Sequence, residues 1–368
     1  MIFDGIKILD LTRILSGPLA TRHFAVQGAQ VIKIESPDGD DTRYFPPLID
    51  NWSGYFEILN HNKKSVVLDL KLDEDLIRFY ILCKNADVVV ENFSPSVKNK
   101  LKIDYDTIKK INPKIIYASI CGVIPNENRK YYDIIAQAES GLISLNQTNK
   151  TTAIVDSFAA MKLAFAIAGC LYNKEKNNVG VNITVSMLGS AFDLLEHNLI
   201  EASVTKPETK ILKSKNVYQQ DTAICPFGIF YTQTSDIAIA IGNENLWKVF
   251  CEFLSNNGSD YEFQKYNSNQ KRLNDKELIY KQIQTILDNM SAQQIYDECI
   301  ELGIASGIVS DIKEIIDNDF YFENKLLQKI NIPKIGNVSV PTCGIYFENN
   351  PNVDYIAAPQ LNQHSDEF

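Results

Sequence analysis

The sequence predicts an α/β protein with a doubly wound parallel sheet in a large domain, joined to a smaller α+β domain. Three observations lead there. Short β-branched apolar runs alternate with helical patterns over the first 120 residues, and strands that alternate with helices form a parallel sheet clad by helices. A polar stretch interrupts the chain beyond residue 205, where the pattern changes. A length of 368 residues with 45% hydrophobic content also suffices for two cores, since a domain commonly holds about 100 to 200 residues.

The expected strands are IKILDL (6–11), QVIKIE (30–35), SVVLDL (65–70), ADVVVEN (86–92) and KIIYASI (114–120). These runs are too short and too β-branched for helices, and unbroken apolar runs mark strands buried on both faces. Helices are expected near 18–27, 73–84 and 104–111; in DEDLIRFYILC the apolar residues recur every three or four positions. From 131 to 205 the pattern turns helical, with YYDIIAQAESGLISL, a long helix after Asp156, the strand VNITVS and one amphipathic run from Met187 to about Glu201. TKPETKILKSKNVYQQDTA reads as a linker. CPFGIFYTQTSDIAIAIGNENLWKVFCEFL then reads as two strands and a helix, followed by helical patterns in KELIYKQIQTILDNM, SAQQIYDECIELG and DIKEIIDNDF. Short strand signals close the chain. The expected division is a large domain of 1–205 plus 326–368, a linker over 206–217 and a small domain of 218–325.

Charge excludes several partners. The 36 Lys and Arg against 46 Asp and Glu leave a net charge of -10, so the field of the whole molecule repels nucleic acid and anionic membranes. An anionic ligand must therefore meet a local basic cluster. Seven cysteines stand far apart, with no CxxC pair and no histidine at zinc spacing, the pattern of reduced thiols without a metal site. MIFDGIKILDL lacks the order of a secretory signal, and the expected location is the cytoplasm. A membrane span needs about 18 charge-free apolar residues; the nearest approach, AIVDSFAAMKLAFAIAGCLY, is interrupted by Asp156 and Lys162. The first turn, TRILSGPLATRHFA, places Pro18 after Gly17 and lacks the three glycines of a dinucleotide site, which argues against NAD or FAD.

Asp156 poses the sharpest question. It stands before a long apolar helix, where Asp is among the best N-caps because its carboxylate accepts bonds from the free amides of the first turn. It is equally a candidate reagent, with the helix dipole expected to keep it ionised. Met161 and Phe165 share a face with Phe158 and read as core. His23 and His61 read as ordinary surface or packed residues.

GIKILDLTRILSGPLATRHFAVQGAQVIKIESPDGDDTRYFPP resembles the opening of the class III coenzyme A transferases, the CaiB/BaiF family. The resemblance continues through NHNKKSVVLDLK, ADVVVENFSPSVKNKLKIDYDTIKKINPKIIYASICG, YYDIIAQAESGLISL, the Asp156 stretch and ELGIASGIVSDIKEIIDND to QHSDEF, and so covers nearly the whole chain. It implies a Rossmann-like large domain, a homodimer of interlocked chains, and an active site between domains. It also implies that Asp156 is a covalent nucleophile. The carboxylate would attack an acyl-CoA thioester to give a mixed anhydride, and the released thiolate would then form an aspartyl-CoA thioester. No metal or redox cofactor enters, and CoA is a substrate.

By the same resemblance, CoA contacts fall on Leu15, Leu68, Leu70, Lys71, Asn92, Phe93, Lys100, Lys130, Tyr132 and Asp133, with Lys71, Lys100 and Lys130 supplying positive charge. Two departures stand out. Ser36 and Ser94 occupy positions where relatives carry arginines, with Arg43 and Lys63 as the expected compensation. Formyl-CoA:oxalate-type enzymes have Gln where Leu15 stands, so oxalate is not assigned. Racemases of this fold place His before the Asp of a G-H-D motif; Tyr132 precedes Asp133 here, which favours transfer. An acyl-CoA racemase and a catalytically silent acyl-CoA-binding relative remain the alternatives.

Overall fold

The computed structural model describes residues 1–146, 152–204, 223–332, 335–342, 344–345, 348 and 354–368; the linker expected at 206–217 lies outside them. The chain divides into two compact units, Met1–Lys206 with Phe320–Phe368, and Pro207–Asp319. The return to the first unit falls at Phe320 rather than at 326.

The first unit is built on a six-stranded parallel sheet of β1 (Lys7–Asp10), β2 (Gln30–Glu35), β3 (Lys64–Val67), β4 (Val88–Glu91), β5 (Ile116–Cys121) and β6 (Val181–Ser186), in the order β3-β2-β1-β4-β5-β6. Its helices are α1 (Ser16–Ala25), α2 (Gly54–Asn60), α3 (Asp73–Lys84), α4 (Pro95–Leu101), α5 (Tyr105–Ile111), α6 (Asp133–Ser140), α7 (Leu142–Asn146), α8 (Ile154–Asn177), α9 (Met187–Asp193) and α10 (Glu196–Val204). The register sets Leu9 between Ile32 and Val89. Because successive strand residues point to opposite faces, unbroken apolar strands feed two cores. Ile8, Val31, Val88 and Ile116 pack with Phe24 of α1 and with Ala159, Leu163 and Ile167 of α8. Leu9, Ile32, Val89 and Tyr117 pack on the other face with Leu76 and Phe79 of α3 and Ile108 of α5. Helices thus cover both faces of the sheet.

Two expectations in this unit need correction. Phe165 is 82% exposed and Met161 46% exposed, so neither is core. Since α8 is apolar on most of its circumference, composition does not say which face turns inward; the stripe that meets the sheet is Val155, Ala159, Leu163 and Ile167, and residues 161 and 165 lie away from it. By length and composition α8 could cross a membrane, but in the fold it packs a stripe of its side chains against α1 and the sheet. The run after Met187 is two helices rather than one, and Leu195 turns into the core at the break.

The open edge of the sheet at β3 is covered by the C-terminal segment. Ser65 N donates to His364 Nδ1 at 3.1 Å, His364 N to Ser65 O at 3.0 Å, and Val67 N to Asn362 Oδ1 at 2.8 Å. An edge strand presents unpaired amides that must find partners, and this segment supplies them.

The second unit has a three-stranded antiparallel sheet with β8 (Ile237–Ala240) between β7 (Phe227–Phe230) and β9 (Ala305–Ile308). Helices α11 (Glu244–Asn256), α12 (Asn269–Asn274), α13 (Lys276–Leu287) and α14 (Ala292–Glu301) accompany it. Its core joins Ile237 and Ile239 to Trp247, Phe250, Ile283 and Ile295. A hairpin of β10 (Leu327–Ile332) and β11 (Gly336–Pro341) belongs to the first unit.

Candidate active site

The strand order reverses between β1 and β4, and in open parallel sheets ligands bind beyond the carboxyl ends at such a reversal. The turn leaving β1 is held tightly there. Asn92, following β4, accepts from Arg13 N at 3.0 Å and donates to Arg13 O at 2.8 Å. Ile14 sits at φ 72°, a left-handed conformation that strains a β-branched residue by roughly 1–3 kcal/mol and persists where its surroundings enforce it. Its amide reaches Asp40 Oδ1 at 3.3 Å. Gly17 follows because a Cβ there would lie 2.3 Å from the Thr12 side chain. The close approach lets α1 start directly behind the turn.

Beneath this turn lies a buried charge cluster. Lys63 Nζ binds Asp10 Oδ2 at 2.9 Å, and Lys33 Nζ binds Asp40 Oδ2 at 2.8 Å. Arg43 grips Glu35 with Nε at 2.8 Å and Nη2 at 2.7 Å. Burial opposes the charge on Asp10, yet Lys63 and Lys33, with hydrogen bonds from Thr12 and Thr21, hold its carboxyl well below the usual range. Burial, aided by repulsion from Lys33, brings Lys63 down to about 8 against the pull of Asp10. The expectation that Arg43 and Lys63 replace the missing arginines therefore fails. Lys63 is inaccessible and Arg43 is spent on Glu35 and on Pro359 O, so neither is available to a phosphate. Spacing in sequence could not reveal these commitments.

Where α8 starts decides whether Asp156 is its cap. The helix begins at Ile154, so Asp156 is its third residue; the cap position is Ala153, which has no side-chain acceptor. The cap comes from another helix. Asp133 Oδ1 accepts from Val155 N at 2.9 Å and from Asp156 N at 3.0 Å. Gln137, fully buried, donates to the other oxygen of Asp133. Asp156 therefore does not cap α8, and its half-buried carboxylate instead accepts a hydrogen bond from the Ser16 side chain.

The expected charge at neutral pH holds, but burial rather than the helix dipole dominates its electrostatics. Burial raises the Asp156 carboxyl to about 6, the negative charge of Asp133 adds to the rise, and a hydrogen bond from the Ser16 side chain opposes it. At pH 7 about nine-tenths of such a group is ionised. Tyr55 of α2 joins the site: burial and then the charges of Asp156 and Asp133 push its hydroxyl up. Ser16 and Tyr55 were not among the residues read from sequence. Ser16 could have been found from its place just ahead of Gly17-Pro18, whereas Tyr55 lies on a short helix with no marked apolar period. His23 and His61 stay neutral, since burial takes each down to about 4.

The profile of CoA-transferase family III matches residues 3–365. The chain belongs to CoA-transferase family III. The acetyl-CoA:oxalate CoA-transferase of Acetobacter aceti is 31% identical over 85% of this chain and 82% of its own length. The human succinyl-CoA:glutarate CoA-transferase is 29% identical over 98% of this chain and 84% of its own. Among solved structures, a CaiB/BaiF family protein from Brucella suis superposes with a TM-score of 0.83 at 23% identity, covering 99% of this chain and 97% of that one. A Mycobacterium tuberculosis protein in an orthorhombic crystal form gives 0.85 at 23% identity over 100% and 98%. This chain is an enzyme of that family, a CoA-transferase.

Within this family III fold, the residues expected to meet CoA fall into three groups. Leu15, Asn92, Tyr132 and Asp133 gather at the β1 turn and the start of α8; Tyr132 is 59% exposed, while both polar ends of the Asn92 side chain are occupied by Arg13. Leu68 is buried, Leu70 and Phe93 lean on the same core, and the Leu68 and Phe93 amides donate to Glu35 O at 2.9 Å and to Glu91 Oε2 at 2.8 Å. Lys71, Lys100 and Lys130 are exposed beyond the carboxyl ends of β3, β4 and β5. Ser36 reaches Gly39 O at 3.4 Å and Ser94 reaches Ser96 at 3.2 Å, both short local contacts.

Proposed function

We propose that this family III transferase moves coenzyme A from an acyl-CoA thioester to a carboxylic acid through covalent intermediates on Asp156. The Asp156 carboxylate attacks the thioester carbonyl, the C–S bond breaks, and an aspartyl-acyl anhydride and the CoA thiolate result. The thiolate then attacks the aspartyl carbonyl, releasing the donor acid and leaving an aspartyl-CoA thioester. An acceptor carboxylate reverses both steps: it displaces CoA to form a new anhydride, and the thiolate attacks the new acyl carbonyl to give product and free Asp156. Water is excluded from the balance, as anhydrides require.

The observation that carries the reading is the capping of α8 by Asp133, which leaves the Asp156 carboxylate, bonded by the Ser16 side chain, clear of the capping role beside the strained turn of β1. A carboxyl brought to about 6 is a stronger base than an ordinary aspartate and still ionised at neutral pH, the condition a nucleophile needs. Lys71, Lys100 and Lys130 are the cations proposed for the CoA phosphates. Oxalate, glutarate and mesaconate, named for relatives, form the first panel of acceptors, with acetyl-CoA and succinyl-CoA as donors. We further propose an interlocked homodimer in the cytoplasm. Met161, Phe165 and Tyr172 of α8 and Ile200 and Val204 of α10 are exposed apolar side chains that a second copy would cover, and the six described cysteines are free thiols.

Intact-mass analysis after mixing with the donor panel tests the mechanism. A CoA-sized adduct that maps to Asp156 and vanishes in Asp156→Ala is expected. Transfer without any adduct at that residue would overturn it.

A further inference from the structure

We propose that Asp133 is the positioning residue of the transfer reaction: by capping α8 from a separate helix, it keeps the Asp156 carboxylate off its own backbone and free to reach the acyl carbon. This assigns Asp133 a role beyond the CoA contact expected of it, and it rests on Asp156 being the nucleophile. An acid at the third helical position can fold back onto the free amides of its own first turn. On α8 nothing local competes, because Ala153 has no acceptor. Asp133 Oδ1 takes both amides, at 2.9 Å from Val155 and 3.0 Å from Asp156. Its second oxygen is fixed by buried Gln137, which also reaches Thr152 O at 3.3 Å, just ahead of α8. Gln137, Asp133 and the α8 terminus form one connected unit, so the nucleophile's orientation is set from α6.

Charge is the second consequence. The groups facing Asp156 are Asp133 from α6, Ser16 from α1 and Tyr55 from α2. On its own helix Lys162 is engaged by Asp193 of α9. Asp133 is the like charge among them, so it opposes ionisation of Asp156 while its hydrogen bonds hold the helix end in place.

Two variants separate these effects. In Asp133→Asn the amide oxygen keeps both backbone amides once Gln137 turns its own oxygen toward the new NH2, so kcat should fall less than in Asp133→Ala, while the acidic limb of kcat/KM moves to lower pH by about one unit. In Asp133→Ala the cap is lost and Asp156 is free to fold onto its own amides. Its kcat should fall by about 100-fold, the scale of a misplaced reacting group, with KM for acyl-CoA changed by less than about threefold. A raised KM with unchanged kcat in Asp133→Ala would make Asp133 a CoA contact and overturn the proposal. An unmoved acidic limb in a folded Asp133→Asn, judged by circular dichroism, would overturn the electrostatic part. Rapid-quench mass analysis keeps the two readings apart. An Asp156 adduct in the parent that forms equally fast in Asp133→Ala removes the positioning role alone, whereas no adduct in the parent removes both.

Discussion

Replacing Asp156 by asparagine should abolish transfer and at the same time stabilise the first unit. The Asp156 carboxyl is held at about 6 against an ordinary value of 3.8, a rise of about two units, and each unit is worth about 1.36 kcal/mol of differential stabilisation between the protonation states. The ionised aspartate therefore costs the fold on the order of 3 kcal/mol. The sign follows from linkage: the folded state binds the proton more tightly than the unfolded chain, so the cost is absent below about 3.8, grows as pH rises through the window, and is complete above about 6. Asparagine has the same shape and no charge. Denaturant midpoints of both proteins, followed by circular dichroism between pH 4 and 8, give the difference curve directly. The variant should match the parent near pH 4 and exceed it by about 3 kcal/mol at pH 8. Equal stability at pH 8, or a gain that does not vary with pH, would refute the reasoning, because Asp156 would then be an ordinary solvated or structural carboxylate.

Other perturbations test the surroundings. Lys63→Met strips Asp10 of its fully buried partner and should destabilise the protein by about 3–5 kcal/mol, measured by chemical denaturation; a loss below 1 kcal/mol would mean that Asp10 is satisfied by Thr12 and Thr21 alone. Asn92→Ala removes both bonds to Arg13, costing about 2 kcal/mol in total and relaxing the turn at Ile14, with KM for acyl-CoA expected to rise. Unchanged KM would separate the turn from binding. Phe165→Glu places a charge on the exposed face of α8 and should convert the proposed dimer to smaller species in sedimentation velocity. A parent protein that sediments as a monomer at micromolar concentration would remove the dimer.

Much of the sheet was legible in the residue pattern. QVIKIE, VNITVS and the helix DEDLIRFYILCK match β2, β6 and α3 residue for residue, since buried parallel strands and amphipathic helices write their period directly into sequence. The hairpin of Leu48–Ile49 with Trp52–Ser53 and the helices α2 and α4 escaped notice. They are short, and their stability comes from contacts such as Trp52 Nε1 to Glu57 Oε2 at 2.8 Å and Glu57 Oε1 to Ala358 N at 2.8 Å rather than from period. Phe165 was misread for the opposite reason, an abundance of apolar residues on every side of α8.

At the candidate site, the motifs singled out Asp156 and Asp133 separately, but no spacing along the chain says which of them bonds the amides of α8. The sequence by itself determined the parallel sheet, the family and the identity of the candidate acid, because apolar period and motif residues are local properties. Only the tertiary structure decided that Asp133 caps in place of Asp156, that Arg43 and Lys63 are bound to partners of their own, and which face of α8 is inward. Each of these depends on groups far apart in sequence competing for the same hydrogen bond, charge or surface, and that competition is resolved only when the chain has folded.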